Sequence, residues 1–217
     1  MLVTEPFFTL DRVPPPGYSR REHIGRMLNF LLWQACVRWT FRHFHLHRRL
    51  ARVFGAKIGG NVFLAPSVRV WHPWLLEVGE WTLFGPGVEV YNLGRIRIGR
   101  HSIISQHAHL CAGTHDWRDP TMPLIRSEIT IGSGVWVCAD TFIGPGVTIG
   151  DNAVVGARAV VTKDVPEGAI VVGNPGRVIG YREGMHPEEI AAAAGGEAVA
   201  AAVQTAGVGG SGSGSGA

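Results

Sequence analysis

Cysteine is scarce in this 217-residue chain: Cys36, Cys111 and Cys138 are its whole complement, and no two form a CxxC pair. An odd number without that spacing argues against a disulfide-stapled scaffold or a cysteine-rich zinc site and fits a reducing, cytoplasmic compartment. Charge is sparse too. Asp, Glu, Lys and Arg make up 17%, and 20 basic against 17 acidic residues leave a net charge of +3. So small and evenly mixed a surplus does not describe a nucleic-acid binder. Long apolar runs are missing: MLNFLLWQACV at 27–37, held between Arg26 and Arg38, is too short to span a bilayer. The opening segment MLVTEPFFTLDRVPPPGYSRRE lacks the basic-then-apolar order of a signal peptide. Glycine, by contrast, is abundant: 30 residues, roughly twice the usual share. No Gly-X-Y period accompanies it, which excludes collagen. Interior glycines at about 1 kcal/mol each argue against a helical bundle and for many regular tight turns. With 46% hydrophobic residues, the chain can bury a substantial core.

A six-residue register organises the middle of the chain. IGGNVF at 58, LAPSVR at 64, VGEWTL at 78, FGPGVE at 84, IGRHSI at 98, ISQHAH at 104 and LCAGTH at 110 share one form. IGSGVW, VCADTF, IGPGVT, IGDNAV, VGARAV and VTKDVP continue it from 131 to 161. Helices repeat near 3.6 and strands near 2; a sustained period of six suits a β-helix of three short strands and three turns per coil. The aliphatic residue opening each unit is expected to point inward and stack on its equivalent in the next coil. The small residue beside it is expected to turn the corner, glycine supplying φ > 0. Between Leu110 and Ile131 the register carries 15 extra residues, in a stretch that holds the polar segment GTHDWRDPTMPLIRSE and is expected as a loop projecting from one face. Residues 22–54 read as helix, with a stripe of Ile24, Met27, Leu28, Leu31, Leu32 and Ala35 and a bend near residue 40. That segment is expected to cap the open end of the solenoid. Because Arg38, Arg42, Arg48, Arg49 and Arg52 make its second part basic, a second reading is an interfacial helix on the inner face of an anionic membrane. The chain thus divides into an extension at 1–21, a helical cap at 22–54, a β-helix at 55–182 with an external loop at about 113–130, and a flexible Ala/Gly/Ser-rich tail at 183–217, native or an appended remnant.

Over about residues 55–182 the repeat resembles the hexapeptide-repeat acyltransferases, which implies a left-handed parallel β-helix, against the usual right-handed crossover rule. FGAKIG, VYNLG, ISQHAHLCAGTHDWRDP, IGPGVTIG and AVVTKDVPEGAIVVGNPGRVI are similar in detail to the colanic-acid-biosynthesis acetyltransferase branch. That narrower resemblance implies O-acetylation of a sugar or exopolysaccharide precursor. His115 ends LCAGTH and opens the extra loop. A histidine so placed is more often structural or merely exposed; the resemblance implies the family's catalytic base. The implied chemistry is acyl transfer from the thioester of acetyl-CoA to an alcohol. A neutral imidazole, whose ordinary pKa is about 6.5, takes the hydroxyl proton while a backbone N–H steadies the oxyanion.

Asp116, Trp117 and Asp119 of THDWRDP are the candidate acceptor-side residues, with either carboxylate able to orient the imidazole or hold the sugar. Galactoside acetyltransferases of the family carry an acceptor-side asparagine about thirty residues before the histidine. Gly85 stands there, and Asn92 is the nearest substitute, with a plain turn residue as its other reading. Ala139, Ala157 and Thr162 match the small residues lining the family's pantetheine channel, and Lys163 and Arg177 are the cations for coenzyme phosphates. The resemblance also implies a homotrimer with active sites between neighbours, and no metal. Two other readings stand beside it. One is a zinc enzyme like the γ-carbonic anhydrases, drawing on His101, His107, His109 and His115, or on the HFHLH run at 43–47; the other is a non-catalytic scaffold.

Overall fold

The computed structural model describes residues 17–39 and 44–189. From Lys57 onward short strands visit three parallel sheets in turn, the coil of a left-handed β-helix. The first sheet contains Lys57–Ile58, Leu76–Val78, Ile96–Ile98, Ile129–Ile131 and Thr148–Ile149. The second contains Phe63–Leu64, Leu83–Phe84, Ile103–Ile104, Trp136–Val137, Val154–Val155 and Ala169–Val172, with Arg177–Tyr181 added antiparallel to the last. The third contains Arg69–Val70, Glu89–Tyr91, His109–Cys111, Phe142–Ile143 and Val160–Val161.

The residues that open the six-residue units are the ones that stack. Ile58, Val78, Ile98, Ile131 and Ile149 lie in register on the first sheet; Leu64, Phe84, Ile104, Val137 and Val155 do so on the second. Val70, Val90, Leu110, Ile143 and Val161 complete the third column, and all three columns are buried. The glycine beside each opener has a different purpose from the one its sequence position suggests. A Cβ on Gly79 would lie 2.5 Å from Arg100 N, and one on Gly99 would lie 2.5 Å from Ser133 N. These glycines let one coil's backbone pass over the next. The left-handed corner falls two residues later, on Asn61, Trp81, His101 and Asn152, at φ between 52° and 59°. Close approach, not positive φ, therefore selects the small residue.

Two helices precede the coils, α1 (Arg20–Trp39) and α2 (Phe44–Val53), separated near residue 40 as the sequence suggests. α2 covers the open end: Ala51 is buried, and the Arg52 guanidinium donates to the carbonyls of Ile58 (2.6 Å) and Gly59 (2.8 Å). α1 turns its apolar stripe away from the solenoid. Its side chains toward the solenoid are polar: Asn29 is buried, and its Nδ2 donates to Val70 O at 3.0 Å. Arg26 lies over the rings of Tyr18 and Trp71. Ile24, Met27, Leu28, Leu31 and Leu32 are instead exposed. Among the described residues no helix is long and apolar enough to cross a membrane.

Candidate active site

After Cys111 the chain leaves the third sheet without turning toward the first. Gly113–His115 and Leu124–Arg126 form a two-stranded antiparallel ribbon, with His115 opposite Leu124, before the coil resumes at Ile129. Ser127 N donates to Ala112 O at 3.1 Å and closes the base of the hairpin. The far side is tied to α1, where Arg126 pairs with Glu22 at 3.7 Å and lies 5.0 Å over the Tyr18 ring. Backbone donation from Ser19 N, then its hydroxyl and Arg126, holds the Glu22 carboxyl below its ordinary range.

The hairpin turn is built to aim one carbonyl. Asp116 Oδ1 accepts from Arg118 N at 3.0 Å; Asp119 Oδ1 accepts from Thr121 N at 2.8 Å and from its hydroxyl at 2.7 Å. Those two donors lower the Asp119 pKa. Met122 N donates to Asp119 O, and Met122 is bent into the left-handed region at φ 44°. Its carbonyl then lies 2.6 Å from His115 Nδ1. A carbonyl only accepts, so Nδ1 must carry the hydrogen, leaving the Nε2 lone pair on an exposed imidazole. Neither carboxylate is hydrogen-bonded to that ring, which corrects the expectation that Asp116 or Asp119 orients it; both shape the turn. The orienting group, Met122 O, is a backbone atom, and no residue type announced it.

Asn92 is corrected as well. It is fully buried, its Oδ1 accepting from His72 N at 2.9 Å and its Nδ2 donating to His72 O at 2.6 Å. A side chain closed at both ends is a strut between coils and is not open to an acceptor. Trp117 is its opposite, 71% exposed at the hairpin tip with the Arg118 guanidinium 5.2 Å above its ring.

The coenzyme candidates fall into two groups. Ala139 and Ala157 sit one above the other at the corner between the second and third sheets, joined by Arg158 N to Ala139 O at 2.9 Å. Thr162 and Lys163 follow the third sheet, at the same corner from which the hairpin springs. Arg177 is carried to that coil because Val160 N donates to Gly173 O and Gly176 N to Val160 O. Lys163 and Arg177 are both exposed and make no ion pair among the described residues. The remaining histidines do not converge. His101 lies parallel to the Trp81 ring, His107 sits at another corner, and His109 stands on the third sheet against Phe142. Among the described residues no three His, Cys, Asp or Glu side chains form a metal-holding group. Residue 43 lies outside them, and His47 is buried. Burial pushes the Cys111 and Cys138 thiols up, so neither supplies a thiolate nucleophile near neutrality.

One stretch of the solenoid and much of its length have known counterparts. Residues 128–163 match the family "Bacterial transferase hexapeptide (six repeats)". The chain is 44% identical over 150 residues to the Escherichia coli (strain K12) protein named "Putative colanic acid biosynthesis acetyltransferase WcaF", spanning 69% of this chain and 80% of that one. It is 30% identical to the galactoside O-acetyltransferase of the same strain over 153 residues, 65% of this chain and 73% of the relative. Among solved structures, a hexapeptide-repeat acetyltransferase from Vibrio cholerae O1 biovar eltor, in complex with acetyl coenzyme A, superimposes with a TM-score of 0.70. That match covers 76% of this chain and 91% of the other at 25% identity. By sequence, coil and hairpin together, the chain belongs to the hexapeptide-repeat acetyltransferase family.

Proposed function

We propose that this protein moves an acetyl group from acetyl-CoA to a hydroxyl of a sugar or exopolysaccharide precursor, with His115 as the general base. One observation carries the assignment: Met122 O fixes Nδ1 as the protonated nitrogen and leaves Nε2 outward as the acceptor. The names of the Escherichia coli relatives and the acetyl-coenzyme A complex of the Vibrio cholerae protein support the substrate classes. Acetyl-CoA supplies an activated thioester carbonyl. Nε2 takes the acceptor hydroxyl proton as that oxygen attacks the carbonyl, and the imidazolium formed keeps its Nδ1–H···O bond to Met122. When the tetrahedral adduct collapses, the same Nε2–H returns its proton to the departing coenzyme A sulfur, so the base is regenerated. Asp116, Trp117 and Asp119 offer an acceptor two carboxylates and an exposed indole around the base. The strip of Ala139 and Ala157 has the low bulk a pantetheine arm needs. Thr162 lies beside Lys163, and Lys163 and Arg177 are the uncompensated cations for phosphate.

The test is transfer of acetyl from acetyl-CoA to candidate glycans, read as the mass gain of one acetyl group. His115→Ala should lower kcat by about 10²–10⁴-fold and leave the melting temperature unchanged, because the side chain is exposed on a hairpin. Wild-type turnover in that variant, with a confirmed acceptor, removes His115 from the chemistry.

A further inference from the structure

α1 is mounted with its polar side inward. Glu22, Arg26 and Asn29 point to the hairpin and the first coil, and a Cβ on Gly25 would meet the Trp74 ring at 3.3 Å. The opposite side carries Ile24, Met27, Leu28, Phe30, Leu31 and Leu32, each between 44% and 61% exposed. A surface helix ordinarily turns its apolar stripe to the core. A contiguous exposed patch of this kind marks a partner or a membrane.

Charge decides between them. Arg20 and Arg21 are exposed at one end of the face. The single acid of the helix, Glu22, is turned away and engaged by Ser19 and Arg126. The face is therefore apolar and cationic with no counter-charge of its own, so a second copy of it would add like charges. The protein also offers itself another apolar surface, where Leu83, Ile103 and Trp136 stand exposed in one row on the second sheet. An anionic bilayer supplies both complements, acyl chains for the leucines and phosphates for the arginines.

We infer that α1 lies in the plane of an anionic phospholipid surface, its outward face sunk among the acyl chains and its arginines at the headgroups. A helix of 20 residues is roughly 30 Å long, and lying flat it sets the solenoid against the membrane without crossing it. The docking is independent of the acetyl-transfer reading and is read without activity.

The experiment is co-sedimentation of the full chain with phosphatidylcholine vesicles, alone or with about a third phosphatidylglycerol. Binding is expected to the mixed vesicles and to weaken at high salt. Leu28→Asp with Leu31→Asp should weaken it at least about tenfold at an unchanged melting temperature, since both side chains are already half in solvent. Arg20→Gln and Arg21→Gln should each cost about fivefold. No binding by the wild type, or binding indifferent to the aspartates, overturns the inference. So does light scattering in which the aspartate pair dissociates the oligomer, which would make a second copy the occupant.

Discussion

An exposed histidine has two nitrogens free to exchange roles, and at His115 that freedom is removed by a carbonyl 2.6 Å away. Its place was legible, because LCAGTH ends a repeat where the register breaks, while its proposed role came from the family resemblance. Its tautomer was not, since it depends on Met122 adopting φ 44°, a conformation its side chain does not advertise. Asn92 shows the same limit from the other direction: the resemblance offered it as the nearest substitute for an acceptor-side asparagine, but the side chain is buried against His72. His72 itself gives a testable pH dependence. It is 2% exposed, with Nδ1 3.0 Å from Asn92 O and Nε2 without a hydrogen-bond partner among the described residues. Burial, outweighing the Asn92 contact, holds its imidazole below the ordinary value. In the unfolded chain that imidazole titrates near about 6.5, so the unfolded state binds the proton more readily. The stabilisation is full above that pH and is lost as pH falls through it toward the folded value. Buried His47 shifts the same way. Melting temperature should therefore decline from pH 7 to pH 5, less steeply in His72→Gln. Equal slopes in the two proteins would show that His72 is not a source of the decline.

At the level of elements, the coil was readable because one side chain in six meets its own equivalent in the next turn, as Ile98 meets Val78 and Ile131. Periodicity reports which residues share a direction. It does not report what lies in that direction, so spacing names the α1 stripe without orienting it, and the stripe faces outward. The corner glycines were found for the right positions and the wrong reason. Gly99 and Gly60 separate the two explanations. A methyl on Gly99 would strike Ser133 N at 2.5 Å, whereas one on Gly60 meets nothing within 4 Å. Gly99→Ala should destabilise by about 1–3 kcal/mol through overpacking, while Gly60→Ala should move the denaturation midpoint little. Chemical denaturation of the two variants checks this, and equal losses would argue against close approach as the cause.

For the molecule as a whole, the three outer faces are chemically unlike. The first sheet is laced by the Glu77 carboxylate with Lys57, Arg95 and Arg97, and Lys57, then Arg95, hold its pKa down. The second presents the apolar row Leu83, Ile103 and Trp136; the third carries Trp71, Tyr91, His109 and Phe142 in edge-to-face sequence. Only the second is both exposed and apolar along its row, so it is the surface proposed for the homotrimer. Ile103→Asp together with Trp136→Asp should convert the assembly to monomers by light scattering, with acetyl transfer falling alongside if active sites lie between neighbours. A protein that is monomeric before mutation would remove the trimer from the account. The projecting hairpin has one more consequence. Leu110 pairs forward with Ile143, and Ile98 with Ile131, as though the 15 additional residues were absent. Lengthening such an excursion costs only about 0.6 kcal/mol per doubling, so the hairpin behaves as an exchangeable cassette. If the acceptor is held at the hairpin, as proposed, its preference can diversify there, one insertion at a time, while the coil beneath carries on unaltered.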